Sequence, residues 1–161
     1  MENVAFYGGG SICELGPADD VAFFFDCVRQ LADAQDIENH DDITDRLFKR
    51  YLRKEELDEA SKFMNTMSYA FAWTAASEWI GSSGKKSDTL DGTGTLYDVF
   101  SEYFRQFSFA VESAQLFEKS WNIYQPVRIV SSDRAQFFND KTRLLSDYDQ
   151  LVESDPPFWL R

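Results

Sequence analysis

The sequence predicts a helix-rich α+β fold, a single domain over residues 1–161 with about four main helices and a small sheet made from both chain ends. Three observations carry that expectation. Apolar residues recur at helical spacing through four long stretches, short extended segments stand near both termini, and neither an internal repeat nor a linker divides the chain. With 161 residues, 43% of them hydrophobic, the chain is long enough to bury a core without disulfides or metals. Its 16% aromatic content excludes a disordered acidic tail.

Asn3 to Tyr7 and Ile12 to Leu15 read as two short strands around the turn Gly8-Gly9-Gly10-Ser11. Pro17, followed by Asp19 and Asp20, opens a helix that reaches about Asp36. Val21, Phe24, Phe25, Val28, Leu31 and Ala32 share one face of it, and Asp19, Asp26, Gln30 and Asp33 share the opposite one. Phe23 interrupts that acidic face. Asp41 or Asp42 is available to cap a second helix carrying Ile43, Leu47 and Tyr51. A third helix is expected from Glu55-Glu56 to about Trp79, through Leu57, Ala60, Phe63, Met64, Met67, Ala70 and Phe71. Residues 81–95, with four glycines, form one long loop. The fourth helix, Leu96 to Lys119, carries Val99, Phe100, Tyr103, Phe104, Phe107 and Val111 on one stripe, with Phe109 and Leu116 on its other side. Pro126 to Ser131 reads as a strand, Ser132 or Asp133 as the cap of a short helix, and Phe158 to Leu160 as a last strand.

The formal charge of −12 argues against nucleic acid and anionic membrane as direct partners and favours a basic protein. Its distribution is uneven. Residues 1–45 carry −10, residues 46–54 carry +5 and residues 55–59 carry −4. A charge run is usually a solvated face, and the competing reading is a surface that steers an electropositive partner. In that second reading Phe23 is an apolar anchor among the carboxylates of Asp19, Asp26 and Asp33, and Asp88 and Asp91 in the glycine-rich loop form a second patch.

Catalytic material is sparse. The single histidine, His40, lies in an Asn-His-Asp-Asp connection, and one histidine leaves little for a triad. Asp36 to Asp42 lacks the glycine and glutamate of a calcium loop. Gly81 to Ser87 has the wrong glycine spacing for a phosphate-binding loop, and Gly8-Gly9-Gly10 lacks the dinucleotide frame. Cys13 and Cys27 lack zinc spacing and are expected to be buried thiols. No cofactor and no metal are expected. With no basic, apolar leader and no run of 18 apolar residues, the expected compartment is the cytosol.

The stretches RLFKRYLRKEELDEASKFM (Arg46 to Met64), YFRQFSFAVESAQLFEKSWNIYQPVRIVSSD (Tyr103 to Asp133) and PFWLR (Pro157 to Arg161) resemble immunity proteins of bacterial polymorphic toxin systems. The similarity is to those of contact-dependent growth inhibition. It implies a small cytosolic protein, not an enzyme, that binds the C-terminal domain of its cognate toxin and occludes the active or substrate-binding site. Many such toxins are nucleases with basic surfaces, which this acidic chain would suit. The resemblance brings no functional residues with it, so Asp19, Phe23, Asp26 and Asp33 stand on helical arithmetic alone. Two readings of other classes remain: a small enzyme or ligand-binding protein with a cleft beside residues 81–95, and an adaptor subunit of a larger assembly.

Overall fold

The computed structural model describes residues 2–80 and 90–160. Strands β1 (Asn3–Gly8) and β2 (Ser11–Pro17) form an N-terminal hairpin, followed by helices α1 (Ala18–Ala34) and α2 (His40–Phe48). A two-residue strand β3 (Tyr51–Leu52) and a 3-10 turn precede α3 (Leu57–Ala72). The long α4 (Leu96–Trp121), strand β4 (Val127–Ser131), α5 (Arg134–Lys141) and α6 (Leu145–Asp149) complete the elements. The class is α+β, with six α-helices among the described residues rather than about four.

All strands are antiparallel, in the order β2-β1-β4-β3, so both chain ends meet at the centre of the sheet. Register divides the sheet into two faces. Val4, Phe6, Cys13, Leu52, Val127 and Ile129 join the main core. There α4 crosses the sheet, and Phe107 meets Phe6 edge-on at 5.5 Å. The opposite face carries Tyr7, Tyr51, Arg128 and Val130, covered by the C-terminal helices, where Tyr7 meets Phe137 and Tyr51 meets Tyr148. Cys13 and Cys27 are buried thiols as expected, and burial pushes the Cys13 thiol up.

The glycine turn has a packing reason. Gly9 and Gly10 both take positive φ, as a two-residue hairpin loop requires, and the turn lies directly on the backbone of α4. A Cβ on Gly9 would stand 2.2 Å from the Ser113 carbonyl oxygen, and one on Gly8 would stand 2.8 Å from that of Ala110. Ser113 Oγ closes the contact by donating to the Gly9 carbonyl and bonding Ser11 Oγ.

Four local expectations are corrected. α2 begins at His40, with Asn39 rather than Asp41 or Asp42 at the cap position, because Asp36 and Asn39 take left-handed φ to turn the chain sharply after α1. α3 stops at Ala72, not Trp79: residues 74–76 leave the helix to pair with 94–96, through Leu96 N–H to Thr74 O and Ala76 N–H to Gly94 O. That pairing delivers the chain to α4, whose start is fixed by a reciprocal Thr95–Asp98 capping box. β3 was not expected at all. Residues 158–160 form a 3-10 turn instead of a strand: the Trp159 indole N–H donates to Phe48 O at 2.8 Å, and the turn packs against β4 and α1. Asp133, one of the two expected caps, does cap α5.

Candidate partner-binding surface

α1 is buried along Val21, Phe24, Phe25, Val28 and Ala32 and also at Asp20, Phe23 and Cys27, which leaves a narrower exposed side. Asp19, Asp26 and Asp33 are all exposed and recur every seven residues. Two helical turns advance by nearly that spacing, so the three carboxylates form one line along the helix. Each also has a local partner. Asp26 pairs with Arg29 at 3.2 Å, Asp33 pairs with His40 Nε2 at 2.8 Å, and Asp19 is engaged as well. Asp36, Glu38, Asp41 and Asp42, which follow the helix in sequence, are exposed as well.

Phe23 does not belong to this surface, and its expected role as an exposed anchor is corrected. It is 9% exposed, and its ring centroid lies 6.1 Å from that of Phe100 on α4. The helical arithmetic placed it at the polar side of α1, but α4 packs far enough around α1 to cover it. Phe23→Ala is therefore expected to lower stability by about 3 kcal/mol and the melting temperature by roughly 6–12 °C, read by thermal unfolding. An anchor exposed on the surface would leave both nearly unchanged.

Asp91 lies in the segment that leads into α4. Its carboxylate accepts from Thr93 N–H at 3.0 Å and from Thr93 Oγ at 2.8 Å, so it shapes its own turn. Asp88 lies outside the described residues, as does most of the expected loop over 81–95.

The basic block explains why acid dominates this side. Lys49, buried, donates to the carbonyl oxygens of Val152 and Glu153. Arg50 binds the Asp45 carboxylate at 2.7 Å, Tyr148 O at 2.5 Å and Leu151 O at 2.8 Å. Arg46 pairs with Glu56, and Lys54 with Glu118 of α4. Four of the five cations of residues 46–54 thus fasten the C-terminal segment and neighbouring helices to the α2–β3 corner. At Lys49 and Arg50, what reads along the sequence as a basic patch acts in the fold as an inward clasp, while Arg53 and Lys54 stay exposed. The acid beside it is left facing outward.

Sequence reasoning missed two further features. A cleft of about 620 Å³ between α2 and residues 153–155 is lined by Arg29, Asp41, Thr44, Asp45, Phe48, Lys49, Arg50, Glu153 and Asp155. It joins segments a hundred residues apart, which no local pattern reveals. The second is aromatic. Trp73 is 90% exposed, and the exposed Tyr69 and Tyr97 share a depression of about 350 Å³ between α3 and α4. Tyr69 and Trp73, four residues apart and off the apolar stripe of α3, were the available signal.

Among the described residues no group of three or more His, Cys, Asp or Glu side chains is arranged to hold a metal ion, and no helix is long and apolar enough to cross a membrane. No family model, curated protein or solved structure matches the chain.

Proposed function

We propose that this chain is an immunity protein of a contact-dependent growth inhibition system, acting in the cytosol on the C-terminal domain of its cognate toxin. The toxin would be a basic nuclease, neutralised by occlusion of its active or substrate-binding site, and the chain itself would be no enzyme. The observation that carries this reading is the division of charge. Lys49 and Arg50 are turned inward to carbonyl oxygens of the C-terminal segment, Arg46 and Lys54 are paired with Glu56 and Glu118, and Asp19, Asp26 and Asp33 line the exposed side of α1. A line of carboxylates presents negative oxygens to a surface built for phosphates, steers the encounter and competes with substrate without any chemical step.

The test is a triple reversal, Asp19→Lys, Asp26→Lys and Asp33→Lys, which moves the formal charge from −12 to about −6 at exposed positions and, through the lost local pairs and helix-start charge, costs about 1–2 kcal/mol of stability. Association with the neighbouring gene's toxin is expected to slow by roughly tenfold to thousandfold at low salt, and growth protection to fail. The wild-type on-rate should fall steeply with added salt, and that of the triple variant only slightly. Protection that survives the reversal, with an unchanged on-rate, would remove α1 from the interface.

A further inference from the structure

We propose that the cleft between α2 and residues 153–155 is a receptor for a guanidinium side chain of the partner, an assignment that rests on the immunity reading for the partner's identity but not for the cleft's chemistry. Three features point to a cationic occupant. First, the cations lining the cleft are already engaged. Arg29 pairs with Asp26 and lies 4.2 Å over the Phe48 ring, Lys49 turns to two carbonyl oxygens, and Arg50 is held by Asp45 and two more carbonyls.

Second, acid is in excess there. Asp41, Asp45, Glu153 and Asp155 line the cleft, and Asp26 stands beside Arg29. Asp45 and Asp155 each hold one internal donor, Arg50 and the Val152 N–H, and keep further lone pairs. Asp41 faces His40 Nδ1 at 3.3 Å, and Glu153 has no side-chain partner among the described residues.

Third, Thr44 lines the cleft at 1% exposure, and its hydroxyl has no hydrogen-bond partner among the described residues. A helical threonine ordinarily bonds the carbonyl one turn back, and a buried hydroxyl left without a partner costs free energy. A donor entering the cleft would satisfy it. Acceptors spread around one space suit the five-donor fork of arginine better than the point charge of lysine.

The probe is N-acetyl-arginine amide, titrated into the full chain and followed by amide NMR shifts, with the neutral isostere N-acetyl-citrulline amide as control. Saturable shifts confined to the surroundings of Arg29 and to residues 41–50 and 151–155, for the arginine compound alone, are expected. No saturation, or equal shifts with citrulline, would overturn the proposal. Thr44→Val, close to isosteric, should weaken binding about tenfold, and Thr44→Ser should restore it. Unweakened binding by the valine variant would remove Thr44 from the site. If the probe binds and toxin protection is unchanged in Thr44→Val, the assignment of the cleft to the partner falls while the α1 interface stands. If the wild-type chain gives no protection at all, the immunity reading falls while the cleft's chemistry stands.

Discussion

Gly9→Ala is expected to destabilise the protein by about 2–5 kcal/mol, although it adds a single methyl group to a surface turn. Two costs combine. The residue holds φ of +58°, where a Cβ meets the adjoining backbone at a cost of roughly 1–2 kcal/mol. The methyl would also stand 2.2 Å from Ser113 O and 2.8 Å from Ala114 N, both backbone atoms of a continuous helix that cannot rotate aside. Either the hairpin lifts from α4 or α4 bends, and overpacking of that kind typically costs another 1–3 kcal/mol. Gly10→Ala is the internal control. Its φ of +80° carries strain, yet nothing lies within 4 Å of its Cβ position, so its loss should stay near 1–2 kcal/mol. Urea unfolding of the two variants side by side reads the difference. Equal losses would mean that the turn does not rest on α4.

That turn also illustrates how far the sequence could be read. Three consecutive glycines between two extended segments announce a hairpin, and they do not announce which helix the hairpin lies on. Period-3.6 apolar stripes located α1, α3 and α4, because a helix with one buried face writes its burial into its own spacing. β3 escaped notice for the opposite reason. Tyr51 and Leu52 become a strand through pairing with Arg128 and Val127, seventy-five residues or more away, and two residues hold no alternation to read. The end of α3 was misplaced likewise, because the chain leaves the helix to pair near Gly94, a tertiary event.

The candidate surface divides along the same line. Asp19, Asp26 and Asp33 were legible because exposure on a helix follows from position relative to its apolar stripe. Phe23 falls among the acidic positions by the same arithmetic, and whether a residue there is covered depends on the neighbour, here Phe100 of α4. The basic block misled in a different way. Lys49 and Arg50 reach backbone carbonyls of residues 148 to 153, and carbonyl acceptors leave no trace in the sequence of side chains. Net charge along a chain therefore overstates the exposure of cations, whose long stems reach inward to oxygen.

Phe24→Ala carries the other large effect, an expected loss of about 4 kcal/mol, which lowers the melting temperature by roughly 8–16 °C. Phe24 is 1% exposed and its ring lies 5.1–5.4 Å from those of Phe25, Phe71, Phe100, Tyr103 and Phe104, so one side chain joins α1 to both α3 and α4. Truncation leaves a cavity among rings that are held by their own helices and cannot collapse to fill it. Phe24→Leu keeps most of the volume and loses the ring edges, so about 1–2 kcal/mol is expected from it. The pair of variants also separates scaffold from surface. If α1 presents its carboxylates to a toxin, Phe24→Ala should reduce protection only by depleting folded protein, with the on-rate per folded molecule unchanged. The triple aspartate reversal should do the reverse, moving the melting curve far less than Phe24→Ala while slowing association. Thermal unfolding and stopped-flow association on both variants would show the two effects on opposite axes. A core truncation that slowed association of the folded fraction would mean that Phe24 also sets the position of the acidic line.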